Sequence, residues 1–202
     1  ALHGQLTLQK VVTLGEHAKL AQCKHPLSNI IEWHDQQIII NLQSCTTIFI
    51  ACISVVALYC IEFASALGFN IIVCEDREEE LRQITESPLL DKVQLIQSFP
   101  SSYLEQHGCT TQTAILSLTH DPRIDDLTMM SALETPAFYI GAMGSKRNSE
   151  NRLARLRECT DFSDEVLSRI HAPIGLALGS KTPAEIALAI MADIVKTKNK
   201  AQ

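Results

Sequence analysis

The chain has 202 residues, with 23 acidic and 17 basic side chains and a formal net charge of -6. That length buries a core without disulfide support, and that charge argues against a broad attraction to DNA, RNA or an anionic membrane. The seven cysteines are odd in number, scattered and mostly set in apolar stretches, which reads as small core hydrophobes of a reducing, cytoplasmic compartment.

Residues 1–45 carry alternating apolar stretches at 5–13 and 37–42 around a polar segment at 15–26, which predicts a small β-rich extension or hairpin. From Thr46 the rhythm changes to short β-branched runs alternating with helix-period segments, the pattern of βαβ units around a parallel sheet. Strands are expected at 47–52, 70–75, 93–96, 113–118 and 137–140. Helices are expected at 55–67, closed by Gly68, and at about 78–87, 100–106, 124–133, 146–158, 163–169 and 183–197. The last has the clearest start: Thr182 as N-cap, Pro183 in the first helical position and Glu185 completing a capping box. The fold class is α/β, a Rossmann-like doubly wound parallel sheet over residues 46–202 with a small β-rich N-terminal extension. The longest apolar run, 48–61 broken only by Ser54, is well short of the roughly 20 residues a membrane span needs, and nothing at the amino terminus resembles a secretory signal. No cysteine or histidine cluster has zinc-ligand spacing.

In such a sheet ligands bind beyond the carboxyl ends of the strands, where helix amino termini present free amides. A dinucleotide site needs G-x-G-x-x-G/A after the first strand, and here the three positions are Cys52, Ser54 and Ala57. Side chains at the first two crowd a pyrophosphate and resist the positive backbone angles that glycine accepts. NAD(P) is therefore disfavoured, and an ordinary strand-to-helix turn with Ser54 as N-cap is preferred. Glu75 stands where an acid would hold a ribose, although it can equally cap the helix that follows.

Two other strand ends carry more chemistry. Gly141, Gly144, Ser145, Lys146 and Arg147 lie between a strand and a helix, the composition of an anion or phosphate site or of a glycine-rich turn opening a basic surface helix. His120 and Asp121 end the preceding strand: the imidazole suits proton transfer or a helix-cap partnership, and Asp121 ahead of Pro122 suits an N-cap. Among the other histidines, only His171 occupies a suggestive place, before Pro173-Ile174-Gly175.

Three blocks together, Thr119-His120-Asp121-Pro122, the run from Tyr139 to Arg147, and the run from His171 to Leu176 followed by Thr182-Pro183-Ala184-Glu185, resemble the carboxyl-terminal domain of the XdhC family, maturation proteins for molybdenum hydroxylases. The resemblance covers about three quarters of the chain. It implies an accessory protein, more a maturation factor than an enzyme, that binds the molybdenum cofactor (molybdopterin) and helps deliver it to a molybdenum hydroxylase such as xanthine dehydrogenase. The pterin cofactor carries a phosphate, for which Gly141, Gly144, Ser145, Lys146 and Arg147 are the implied partners, with His120, Asp121 and Glu75 as further cofactor-binding candidates. The family's opening Gly-Ala-Gly-His turn reads Cys52-Ile53-Ser54-Val55 here, and its separate amino-terminal domain is not recognisable in residues 1–45. A divergent NAD(P)-dependent oxidoreductase and a Rossmann-fold interaction protein with a degenerate ligand site are the alternatives. A homodimer is the expected assembly.

Overall fold

The computed structural model describes residues 7–23, 31–34, 36–42, 45–119 and 121–200. Near the amino terminus, β1 (Thr7–Thr13), β2 (Lys19–Cys23), β3 (Ile31–His34) and β4 (Gln37–Leu42) form an antiparallel sheet in the order β2-β1-β4-β3. The polar segment after Gly15 therefore supplies a strand that its pattern does not announce. Leu20 stands opposite Lys10, so pairing along β1 overrides a weak local preference.

The second sheet begins at Thr47. Its parallel strands are β5 (Thr47–Ala51), β6 (Asn70–Cys74), β7 (Gln94–Ile96), β8 (Thr113–Ser117), β9 (Tyr139–Ala142) and β10 (Ile170–His171). The intervening helices are α1 (Val55–Ala66), α2 (Glu78–Thr85), α3 (Pro100–His107), α4 (Pro122–Leu133), α5 (Lys146–Cys159), α6 (Asp164–Leu167) and finally α7 (Pro183–Lys200). The order β10-β9-β8-β5-β6-β7 is that of a dinucleotide-binding Rossmann sheet, so the chain reverses direction across the sheet between β5 and β8.

Alternation along β5 explains the layers. Ile48 and Ile50 join residues of α1 and α7 on one face, while Phe49 and Ala51 join residues of α3 and α4 on the other. Ile48, Ile50 and Ile61 have no exposed surface, and each such burial stabilises the fold by roughly 2 kcal/mol. Small residues at Ala57, Cys60 and Ala64 let α1 lie close against the sheet and α7. Cys52, Cys60 and Cys74 are core side chains as expected, whereas Cys45 and Cys159 are exposed.

In the strands of this sheet, two differences from expectation exceed a single residue. The fifth strand of this sheet runs Tyr139–Ala142 rather than 137–140, because it pairs with β8 through Ala114 and Tyr139. Gly141 consequently lies inside the strand instead of in the following turn. A Cβ there would stand 2.6 Å from Ile174 Cγ1 and 2.8 Å from Tyr139 Cε1, so the missing side chain is room for Ile174. The short β10 lies at the end of the region expected to be helical at 163–169, where the helix itself spans only Asp164–Leu167. Two residues are too few to show a period. Among the described residues, no helix is long and apolar enough to cross a membrane.

Candidate functional site at the strand switch point

The turn after β5 keeps a Rossmann shape without its glycine. Cys52 has φ 68°, a left-handed conformation that costs a non-glycine residue about 1 kcal/mol, and its amide donates to Cys74 O at 2.9 Å. Its side chain is fully buried, and burial pushes the thiol far above its ordinary range, the state of an inert structural cysteine. Ser54 caps α1, its hydroxyl accepting from the Ala57 amide at 3.2 Å.

Glu75 closes this turn from the neighbouring strand. Its carboxylate has no exposure. Oε2 accepts from the Ile53 amide at 2.7 Å and from Arg77 Nη2 at 2.7 Å. Oε1 accepts from the Asp76 and Arg77 amides at 3.0 Å each and from Arg77 Nε at 2.9 Å. Arg77 Nη2 also donates to Ile53 O at 3.2 Å. Burial pushes the Glu75 carboxyl up, but the Arg77 guanidinium and the Ile53 and Arg77 amides overcome this and hold it below the usual carboxylate range. The group that would greet a ribose is thus engaged within the chain.

Above this lock opens a cleft of about 940 Å³. Ile53, Ser54 and Val55 form one wall, Arg77 and Glu80 a second, Thr119, Asp121 and Arg123 a third, and Lys181 and Pro183 the last. The amino termini of α1, α4 and α7 line it, so the positive ends of three helices join Arg77, Arg123 and Lys181 around one crevice. Asp121 caps α4 by accepting from the Arg123 amide at 2.9 Å, and also pairs with Arg123 Nη2 at 2.8 Å. The Arg123 hydrogen bonds lower its carboxyl to about 2. At α7 the expected capping box is present: Glu185 accepts from the Lys181 and Thr182 amides at 2.7 and 3.0 Å, and Thr182 Oγ1 accepts from the Glu185 amide at 3.3 Å. Arg123 and Lys181 escaped the sequence reading. Their only signal is a cation beside an N-cap.

A smaller pocket of about 150 Å³ adjoins the cleft, sharing Thr119, Pro122 and Met143 with it and extending to Gly144, Asn148 and Arg152. Beneath it lies a buried ion pair. Arg152 Nη2 donates to Asp125 Oδ2 at 2.8 Å, while the hydroxyls of Ser117 and Thr119 donate to Oδ1 at 2.6 and 2.7 Å. Arg152 Nη1 donates to Met143 O at 3.2 Å, and Asp126 takes Arg152 Nε at 3.1 Å and Arg155 Nε at 2.6 Å. Burial pushes the Asp125 carboxyl up, opposed by the Ser117 and Thr119 hydroxyls and the Arg152 charge. This network ties α4 to α5 under the β8 and β9 ends.

The residues expected to form the site divide accordingly. Gly144 and Ser145 sit at the start of α5, where Ser145 caps the helix by accepting from the Asn148 amide at 3.2 Å. Lys146 and Arg147 follow in the first turn with exposed side chains, and neither is ion-paired among the described residues. Asp121 stands on the neighbouring rim. Glu75 lies beneath the opposite rim and Gly141 inside β9, while His120 lies outside the described residues. His171 has a structural setting: its ring stacks on Tyr139 with centroids 4.1 Å apart, and its Nδ1 is 3.3 Å from Asp193 Oδ2, which also accepts from Tyr139 Oη at 3.0 Å. Among the described residues, no His, Cys, Asp and Glu group is arranged to hold a metal ion.

Sheet order and crevice define a Rossmann-type α/β domain with a candidate site at the switch point. The profile of the XdhC Rossmann domain matches residues 48–194, and the chain belongs to the XdhC family. It is 30% identical to the uncharacterized protein YqeB of Escherichia coli over 68% of this chain and 25% of that protein. It is 32% identical to the molybdenum cofactor insertion chaperone PaoD of the same organism over 50% of this chain and 30% of that protein. A probable xanthine dehydrogenase subunit of Bacillus subtilis is 26% identical over 68% of this chain and 38% of that protein. The chain therefore spans well under half the length of these relatives. A crystal structure of a xanthine dehydrogenase from Bacillus halodurans shares the fold, with a TM-score of 0.70 and 20% identity over 98% of this chain and 61% of that one.

Proposed function

We propose that this chain is an accessory protein that binds the molybdenum cofactor in the switch-point cleft and assists its insertion into a molybdenum hydroxylase of xanthine dehydrogenase type. The observation that carries the reading is the pairing of an open cleft with a closed dinucleotide turn: helix amino termini and Lys181 face the crevice beside Arg77 and Arg123, which are partnered by Glu80 and Asp121, while Glu75 and Arg77 occupy the Ile53 amide and carbonyl. Such a site suits an anionic ligand other than a nicotinamide dinucleotide. The family, and the relative named as an insertion chaperone, support the choice of cofactor.

In this reading the cofactor's phosphate lies at the start of α5, where Gly144 and Ser145 allow close approach and Lys146 and Arg147 supply charge. Asp121 lines the ligand's path. Glu75 shapes the rim from below and Gly141 keeps β9 narrow, so both act through position. When bound, the cofactor brings a redox-active molybdenum centre to the target enzyme; this chain holds, shields and releases it.

Anaerobic incubation of the purified chain with molybdopterin tests the proposal. Saturable binding is expected, weakened about tenfold by Lys146→Ala with Arg147→Ala, since two exposed charges near a phosphate contribute on the order of 1.4 kcal/mol together. No measurable binding by the folded protein overturns it.

A further inference from the structure

α1 carries a single charged residue, Glu62, in twelve, and is apolar on more than the face it turns to the core. Val56, Ala57, Cys60, Ile61 and Ala64 are buried, yet Val55 and Tyr59, and Leu67 at the carboxyl end, stand exposed. α7 does the same: Leu188 is 52% exposed between the buried Ala187 and Ala189. A helix at a finished surface keeps polar residues toward water, so one that is apolar around most of its circumference is normally covered. Between the two helices runs a groove of about 480 Å³, walled by Phe63, Ala66 and Leu67 on one side and Leu188, Ala192 and Val195 on the other. Lys196 is the one polar side chain in its wall among the described residues.

Size and charge along this groove fit a second copy of the chain. α1 and α7 run in the same direction, since Val55 shares the cleft with Pro183 while Phe63 shares the groove with Met191. The middle of the groove is small, at Ala66 and Ala192, where a second pair of helices can approach closely. Glu62 lies one turn before Ala66, and Lys196 one turn after Ala192. Both are exposed, and neither is ion-paired among the described residues. A two-fold axis crossing the helices at the level of Ala66 and Ala192 exchanges the two positions, so Glu62 of one copy faces the partner subunit's Lys196 and the reciprocal pair forms beside it. The face thus carries one carboxylate and one ammonium in a self-complementary arrangement, with no net charge to favour a strongly acidic or basic partner.

We propose that the face formed by α1 and α7 is the interface of a homodimer, in which two helix pairs pack antiparallel, Leu67 and Leu188 leave water, and Glu62 pairs with Lys196 across the axis. The cleft lies at the amino-terminal ends of both helices, so this arrangement carries the two clefts to opposite ends of the layer and leaves both open. The inference is independent of which ligand the clefts hold.

Analytical ultracentrifugation of the full chain from micromolar to submillimolar concentration tests the interface. A monomer-dimer equilibrium is expected. Leu188→Asp, at an exposed position, should abolish the dimer while circular dichroism shows the fold retained. Glu62→Lys or Lys196→Glu sets like charges together twice per dimer and should weaken association about tenfold, whereas the two changes combined should bring it back to within about threefold of the parent. That recovery is a readout that general surface damage does not give. A parent that stays monomeric throughout overturns the proposal, as does a dimer indifferent to all of these substitutions. A dimer lost with Leu188→Asp but not recovered by the charge exchange overturns the antiparallel register. A monomer that binds a molybdenum hydroxylase through Leu188 assigns the face to the enzyme and likewise overturns the homodimer.

Discussion

The Glu75 carboxylate accepts a 2.7 Å hydrogen bond from the Ile53 amide, joining the end of β6 to the turn after β5. The same carboxylate holds the Arg77 guanidinium, whose Nη2 reaches back to Ile53 O. The turn where a dinucleotide would lay its pyrophosphate is thus held by a neighbouring strand end. Its shape has become a property of the chain instead of a response to a ligand.

Glu75→Gln removes the charge and leaves donors facing a carboxamide. A loss of about 2–4 kcal/mol at pH 7 is expected, because buried donors lose their acceptor while part of the cost is spared by the half-exposed Arg77. The folded carboxyl lies below its ordinary value of 4.5, so its contribution is complete above that value and fades as pH falls through the folded one. Urea denaturation from pH 7 toward pH 3 should show the gap between parent and variant closing with acid. A gap of constant size across that range is incompatible with the lock.

The lock also predicts a negative result. Restoring glycines with Cys52→Gly and Ser54→Gly frees the backbone and removes two side chains, yet the Ile53 amide remains engaged by Glu75 and the ribose-facing oxygens remain on Arg77. The double variant should show no NADH binding at millimolar concentration by fluorescence. A dissociation constant in the micromolar range would mean that Cys52 and Ser54 alone exclude the dinucleotide.

Much of the framework was legible because β-branched runs and capping residues mark it locally. The stretch from Thr47 to Ala51 reads as a strand from its own composition, and the Thr182, Pro183 and Glu185 signature places the start of α7 to the residue. The identity of the residues at the α5 start was equally plain. Hidden from the sequence was where side chains turn. Glu75 was visible as an acid at a strand end, but only the folded chain shows it facing Ile53. The Asp125 and Arg152 pair is 27 residues apart on two helices and belongs to no motif. The position of Gly141 depended on a register set by β8, which no local pattern near Tyr139 records.

That hidden pair makes its own prediction. Arg152 is 4% exposed and Asp125 1%, so removing Arg152 leaves the Asp125 carboxylate buried without its counter-charge, whereas removing Asp125 leaves Arg152 with Asp126 as its remaining partner. Arg152→Ala should cost about 3–5 kcal/mol, and Asp125→Ala less, because Asp126 still pairs with Arg152. The double variant should cost at least about 1 kcal/mol less than the sum, since the second substitution removes the charge orphaned by the first. Strict additivity in chemical denaturation would show that the two do not act as a unit.

Gly141 separates packing from ligand contact. Its place inside β9 leaves an added methyl in collision with Ile174, and Tyr139 bars escape on the other side. Gly141→Ala should therefore destabilise by about 2 kcal/mol, the scale of overpacking a closed core. Shortening the neighbour makes room, so Gly141→Ala combined with Ile174→Ala should lose less than the two single changes added together. If the glycine serves packing alone, the double variant binds molybdopterin as the Ile174→Ala protein does. Loss of molybdopterin binding in the double variant, with stability recovered, would instead place the Gly141 backbone against the ligand.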